Sequence, residues 1–463
     1  MAEPALPPRF SPPPRPLTLL RAFWRMLRGA DDMEMVPQTA YEEFLVEQPV
    51  LFGPRVFYAT GPEETRRLLV ENAANYHKSL LTRRILGPGL REGLILAEDE
   101  VWRRQRRAIA PLFQPRVFEG YAAAMTRAGT ELAEAWARAP GGIVRASEGT
   151  ARATYDVIMA TLFGGGAGFD RQELRKAVDV YLDTAGRLGV LDLAPTPSWL
   201  PRPRIRRGAR AVAGLRDAFR EMTVARRAQR GASATPDLLD RLIAAEDPET
   251  GARLDDEAIV DNILTLIVAG HETTALALAW SLHLLATHPE AQERAAAEIR
   301  EVLGEAPARL ADVARLPWLK QVLNEALRLY PTIPAALRTA AGPDRLGDLE
   351  IRAGDVFIIP LYAIHRHRRL WENPDAFDPD RFSPERAARI PKGAFLPFGA
   401  GPRICVGASF ALTEAVLILA EILRRLSFAP LEGVEVRPLT RLSLKPTGGP
   451  PLRVAPRAAA GGA

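Results

Sequence analysis

The ten residues Phe398-Gly399-Ala400-Gly401-Pro402-Arg403-Ile404-Cys405-Val406-Gly407 hold the only cysteine among 463 residues and lead into an apolar run, 408–426, that reads as a helix. Glycine and proline make this stretch a loop in which backbone turns tightly and can approach a ligand closely. A sulfur at the start of a helix feels the positive end of the dipole and free N–H groups, both of which favour thiolate over thiol. Such a thiolate is a nucleophile or a metal ligand. A lone cysteine is often just a small buried hydrophobe, but that role predicts a place inside an apolar periodic run. Cys405 instead has Arg403 two residues before it and glycines on both sides, so the rest of the chain reads as a housing for its sulfur.

With 47% hydrophobic and 25% charged residues the chain reads as an ordinary globular protein with a large core. No flexible linker interrupts it, which predicts a single domain over residues 29–455. The flanks are residues 1–28, an N-terminal segment, and 456–463, a tail expected to be disordered. One cysteine excludes an intrachain disulfide and favours a reducing, cytoplasmic setting. A net charge of +5 is small for this length and does not argue for nucleic acid. Residues 4–16 are proline-rich and predict extended, poorly ordered chain. In 17–28, Leu20, Phe23, Trp24 and Leu27 repeat at helical spacing against Arg21, Arg25 and Arg28. That helix is too short to cross a membrane and lacks the features of a secretory signal; its apolar face packs on the body or rests on a membrane surface.

Along the chain, 50–60 reads as a strand pair around Gly53-Pro54, 61–72 as a helix, and 76–97 as irregular or short-helical. On a helix over 101–113, Trp102 and Arg106 share a face, and Arg103, Arg104 and Arg107 read as a solvated one. Residues 118–230 alternate helices with breaks at 140–142, 164–166 and 195–203. Acidic residues 255–257 suit a helix N-terminus, and 259–286 is apolar on every side, as expected of a long buried helix. Ala269-Gly270-His271-Glu272-Thr273-Thr274 interrupts it. A mid-helix glycine costs about 1 kcal/mol relative to alanine and hydroxyls can bond back to carbonyls, so a local loosening is expected. Ala269, Gly270 and Thr273 share one face, leaving room for a bulky flat ligand beside a hydroxyl, while Glu272 can bring protons from solvent. A satisfied threonine pair with a capped glutamate explains the same residues equally well. Residues 316–330 form a further predicted helix carrying Glu325 and Arg328; 333–340 and 350–360 have strand character, with a turn at 353–355. His365 and His367 are expected to be solvated and not metal ligands.

The spacing Phe-x-x-Gly-x-Arg-x-Cys-x-Gly resembles the haem-binding loop of the cytochrome P450 family, soluble bacterial type. The resemblance extends from about Trp102 to the end of the helix after Cys405. It implies a mainly α fold with small β-sheets, in which haem b lies between the long central helix and the cysteine loop. Cys405 would be the axial thiolate, a ligand that pushes electron density to iron and favours O–O cleavage, with Phe398 and Gly407 flanking it and Ala269 and Gly270 across the haem. By the same likeness Trp102, Arg106, Arg338 and Arg403 would hold the haem propionates, and Glu272 and Thr273 would deliver protons. Glu325, Arg328 and Arg381, the last within Phe377-Asp378-Pro379-Asp380-Arg381-Phe382, would brace the cysteine loop, and 118–230 would supply a lid over the pocket.

The activity so implied is a monooxygenase (EC 1.14) inserting one atom of O2 into a hydrophobic small molecule. Because no flavin or iron–sulfur module follows the haem module, electrons are expected from separate proteins, with ferredoxin and its reductase suggested. Substrate identity is not legible. A peroxide-driven haem hydroxylase would have no need of Glu272 and Thr273, nor would a non-catalytic haem sensor or carrier. A cysteine hydrolase with His365 as base finds no support in the spacing.

Overall fold

Asp255 begins the element around which the rest of the molecule is packed: its side chain accepts the Ala258 N–H (2.8 Å) and starts a helix running unbroken over Asp256–Thr287. The computed structural model describes residues 6–18, 21, 24–25, 31–50, 53–164, 170–186, 202–229 and 236–457. Among these the longer helices are α1 (Leu80–Leu90), α2 (Asp99–Ile109), α3 (Glu119–Ala137), α4 (Ala146–Phe163), α5 (Arg171–Ala185), α6 (Pro203–Ala228), α7 (Leu238–Ala244), α8 (Asp256–Thr287), α9 (Pro289–Leu303), α10 (Pro317–Leu329) and α11 (Ala408–Arg425). The strands are β1 (Leu45–Gln48), β2 (Val56–Ala59), β3 (Tyr76–Lys78), β4 (Ile143–Arg145), β5 (Ala336–Ala340), β6 (Asp344–Leu346), β7 (Leu349–Ile351), β8 (Val356–Ile359), β9 (Leu426–Pro430), β10 (Pro438–Thr440), β11 (Leu444–Pro446) and β12 (Pro451–Pro456). The mainly α fold with small sheets is thus observed.

Helix α8 packs on α4, α6, α10 and α11. It is the one helix among the described residues long and apolar enough to cross a membrane, and 78% of its apolar stretch is buried in protein instead. Being apolar all round, it needs neighbours on every side. The loosening expected at Gly270 is absent, because helical backbone continues through it. Thr273 Oγ1 does bond back to the Ala269 carbonyl at 2.7 Å, without opening the ladder.

The largest sheet has the order β1-β2-β8-β5-β3, with β2 and β8 parallel and the other pairs antiparallel. The pair expected over 50–60 is the β1–β2 hairpin, whose first strand lies earlier, where buried Val46 faces Tyr58. The turn before β8 depends on Gly354, at φ 90°. Strands β4-β12-β9 form a second antiparallel sheet, and β6–β7 and β10–β11 are hairpins.

The bracing network is present and fully buried. Arg328 donates through Nε and Nη2 to Glu325 (2.7 Å each), and through Nη1 and Nη2 to the carbonyls of His365, Pro374 and Ala376. Arg381 Nε lies 3.4 Å from the same Glu325. The network ties α10 to the segment that precedes the cysteine loop, using all five donors of the Arg328 guanidinium, while Arg381 adds a bond from Nη2 to the Asn373 carbonyl (2.8 Å).

Three expectations require correction. The proline-rich segment is packed, not loose: Phe10 is buried against Tyr362, Tyr330 Oη donates to the Pro8 carbonyl (2.8 Å), and Gln38 N–H donates to that of Pro13 (2.7 Å). An apolar aromatic in a stiff, pre-extended segment loses little entropy on docking. His365 and His367 are completely buried. His365 Nε2 accepts the Leu396 N–H (2.9 Å), and burial beside Arg328 pushes its pKa down to about 3, so it stays neutral. Arg107 is not merely solvated, since it forks onto buried Asp247 with two 2.7 Å bonds. Of the expected tail, Pro456 closes β12 and Arg457 pairs with Glu293 (2.8 Å); residues 458–463 lie outside the described residues. So do most of 17–28, in which Trp24 is exposed.

Candidate active site

Gly401, at φ 69°, lets the cysteine loop run over the Leu69 carbonyl, which a Cβ would meet at 1.9 Å. Two residues before α11 begins its first cap, the Cys405 N–H donates to the Phe398 carbonyl (2.9 Å), closing the loop into a tight arch. The sulfur accepts the Gly407 N–H and has Arg106 nearby; both pull its pKa down, yet burial outweighs them and pushes it up. The free chain therefore holds a thiol, where helix-end arguments alone predicted thiolate. Cys405 is sunk among protein atoms and still has open surface. Both are true of a group that faces a chamber inside the protein.

The same contrast marks α8. From Ala258 to Ala286 only Ala269, Gly270, Glu272 and Thr273 keep open surface, and every other residue is buried. These are the four that sequence reasoning singled out. A cavity is bounded by Thr273, Thr274 and Ala277 of α8 on one side and by Phe398, Ala411, Leu412 and Ala415 of the cysteine loop and α11 on the other. The central helix and the cysteine loop thus border a common cavity at Thr273 and Phe398, closed further by Leu323, Leu327 and Thr332.

The rim of that chamber is cationic. Arg338 of β5 stands opposite Lys78 of β3 in the strand register. Burial and the neighbouring Arg403 push Arg338 down to about 10; burial, then Arg338 and Arg403, push Lys78 down to about 7. Arg403 lies over the Trp102 ring, 4.4 Å from its centroid, and pairs with Glu98. Arg106 too is held down by burial. Glu98 faces Lys78, Arg338 and Arg403, and Asp99 faces Arg403 as well, so three cations meet two carboxylates and positive charge there is in excess. Excess buried charge is costly unless an anion meets it, and haem brings two propionates. The sulfur, the slot and the cationic rim therefore fit haem.

Glu272 does not point freely to solvent. Its carboxylate accepts from Ser443 Oγ (2.7 Å) and from Lys445 Nζ, at the tip and on the second strand of the β10–β11 hairpin. Lys78, Glu98, Ser443 and Lys445 were all missed by sequence reasoning. Lys78 enters through strand pairing across 260 positions, for which a short polar strand gives no signal, and the hairpin pair lies 171 and 173 residues from its partner.

Comparison with known proteins agrees with this geometry. The family model for cytochrome P450 matches residues 14–451. Cyclooctatin synthase of Streptomyces melanosporofaciens is 37% identical over 87% of each chain, and cyclooctat-9-en-7-ol 5-monooxygenase of the same organism is 36% identical over 83% of each. The crystal structure of the cytochrome P450DA heme domain superposes with a TM-score of 0.83 at 29% identity, covering 98% of this chain and 99% of that one. The chain belongs to the cytochrome P450 family, an oxidoreductase of the monooxygenase class with haem b as its cofactor.

Proposed function

We propose that the chain hydroxylates a largely apolar small molecule, inserting one atom of O2 with electrons drawn from separate redox proteins, ferredoxin and its reductase. The observation that carries the reading is the patch of open surface on α8, at Ala269, Gly270, Glu272 and Thr273, in a helix otherwise buried, with Thr273 bordering a cavity that it shares with Phe398 of the cysteine loop. When bound, haem supplies the oxygen activation, with Cys405 as the thiolate ligand. Trp102, Arg106, Arg338 and Arg403, joined by Lys78, hold its propionates. Phe398 and Gly407 flank the sulfur, and Ala269 and Gly270 leave room for the macrocycle. A methyl at Gly270 would touch Ile158 at 3.4 Å, an ordinary contact, so glycine there serves the slot more than the packing behind it. Thr273 holds its proton at Oγ1 toward the Ala269 carbonyl, where it can turn to the slot, and Glu272 brings protons from the rim.

For the substrate, the two Streptomyces relatives favour an apolar, ring-containing alkenol of the kind named in cyclooctat-9-en-7-ol. Terpenoid alcohols of graded size, added to purified protein, are expected to change the haem spectrum as they displace water from iron; fatty acids and small aromatics serve as controls. The ligand itself is tested by Cys405→Ser: the reduced carbon monoxide complex of the native protein is expected to show the thiolate-haem band, and its survival in the variant rejects Cys405.

A further inference from the structure

Of the five hydroxyls on α8, four bond back to the carbonyl one turn earlier: Thr265 to Asp261, Thr273 to Ala269 and Ser281 to Ala277 (2.7 Å each), and Thr287 to His283 (3.1 Å). Thr274 does not. Its Oγ1 is buried, has no backbone partner, and stands beside the carboxyl of Glu414 on α11. Glu414 is 2% exposed, and among the described residues no cation pairs with it. Ala411, one turn before it, and Ala415, the next residue, line the cavity that Thr273, Thr274 and Phe398 also border. No charged side chain bears on Glu414 from α3, α8, α9, α10, β9 or the turn Leu310–Arg315, the elements packed on α11. Glu272 of α8 is turned to Lys445 instead, and the other charges of α11 gather at Glu421, which accepts from Thr130 (2.9 Å) and Arg424 (2.8 Å). A carboxyl this deep and unpaired keeps its proton, because the ionised form has lost water without gaining a counter-charge. Burial pushes it up to about 8, with the Thr274 hydroxyl pulling the other way.

We propose that Glu414 couples electron entry to a proton, with Thr274 as its positioning residue. Where Glu414 is ionised, it takes one proton from water as one electron from a redox protein reaches the bound haem; the O–H bond formed on the carboxyl replaces one in water, and the added negative charge is matched by one positive. Glu414 lies on the helix that follows Cys405 and stands beside Thr274 of the central helix, so its charge and one gained at the iron meet across buried side chains instead of water. Like charges repel far more strongly in such a medium than in solvent. An added electron therefore raises the proton affinity of the carboxyl, and by the same coupling an ionised carboxyl opposes the electron. With its proton in place Glu414 is neutral and sets no such barrier. The Thr274 hydroxyl donates to the ionised form and so lowers the pH at which the barrier appears. The inference rests on haem being held through Cys405, which Cys405→Ser decides separately.

The test is the midpoint potential of the haem-loaded protein, titrated with dithionite from pH 6.5 to 9.5 in native protein, Glu414→Gln and Thr274→Val. In native protein the equilibrium constant for reduction is expected to fall above pH 8 by about threefold or more per unit, the limit for one proton and one electron being tenfold, or about 59 mV. Glu414→Gln, neutral at every pH, is expected to lose this fall. Thr274→Val, without the hydroxyl that favours the anion, is expected to move its onset to higher pH. Infrared difference spectra between oxidised and reduced protein at pH 9 are expected to show a carboxylate band lost and a protonated carboxyl band gained, both missing in Glu414→Gln. A native potential without the alkaline fall overturns the proposal, and so does a fall that survives in Glu414→Gln, since it then belongs to the propionates or to Lys78. Should Glu414→Gln fail to take up haem, Thr274→Val and the native infrared spectra decide: an unmoved onset with no change in the carboxyl bands overturns the coupling.

Discussion

Glu414 shows how far a single side chain can depart from its ordinary chemistry in this interior. It lies on α11, 2% exposed, and burial pushes its carboxyl up to about 8, with the Thr274 hydroxyl beside it pulling the other way. In the unfolded chain the same group titrates near 4.3. Between these values the native state holds a proton that the unfolded state has lost, so stability falls as pH rises from about 4.5 to about 8. The full drop is on the order of a few kcal/mol, at about 1.4 kcal/mol per unit. We predict that Glu414→Gln, which keeps shape and hydrogen bonding without the charge, flattens this slope. Urea unfolding at pH 6 and pH 8.5 measures it, and an unchanged slope in the variant removes Glu414 as the cause. His365 works with the opposite sign. Its pKa is pushed down to about 3, so the native state refuses a proton that the unfolded chain accepts below about 6.5, and stability is lost on acidification through that range.

At the scale of elements, the parts legible in the sequence are those whose chemistry is local. The cysteine loop needs its glycines at fixed offsets, and α8 announces itself by an apolar run with an acidic start and a four-residue polar notch. The Glu325–Arg328 pair lies within one turn of α10. What could not be read arises from pairing at a distance: the β3–β5 register that sets Lys78 against Arg338, and the β10–β11 hairpin that reaches Glu272. Polarity also misled, since His365 and His367 are polar in composition but buried, one of them with a backbone donor supplied from 31 residues away. The bracing network yields a prediction of its own. Removing Glu325 leaves Arg328 buried without its counter-charge and Arg381 with only the Asp378 carboxylate at 4.0 Å, and breaking a buried pair by deleting one partner costs about 3–5 kcal/mol. Glu325→Ala is therefore expected to lose at least about 3 kcal/mol of stability in urea unfolding and to retain haem poorly. A loss below about 1 kcal/mol, the level of an exposed pair, contradicts the buried network.

For the whole molecule, the slot brings together two ionisable groups whose proton balances oppose each other when haem binds. Cys405 enters as a thiol, since burial pushes it up, and must shed its proton to ligate iron; below its raised pKa this alone makes haem affinity increase about tenfold per pH unit. Lys78 enters largely neutral above its depressed value of about 7, under the influence of burial, Arg338 and Arg403. A propionate placed beside it favours the ammonium, so binding takes up a proton, and this alone makes affinity fall by about tenfold per unit between pH 7 and 10. One proton is released at the sulfur and one is gained at the rim, so the native protein is expected to bind haem with little pH dependence from pH 7 to 9. Each variant exposes the other half of the balance. In Lys78→Gln, affinity should climb with pH, driven by the thiol; in Cys405→Ser, with no thiol proton to lose, it should decline. Titration of the haem-free protein with haem at pH 7, 8 and 9, followed by quenching of tryptophan fluorescence, reads these slopes without any turnover. Parallel slopes in native protein and Lys78→Gln would show that Lys78 does not meet a propionate, and the cationic rim would then rest on Arg338, Arg403 and Arg106 alone.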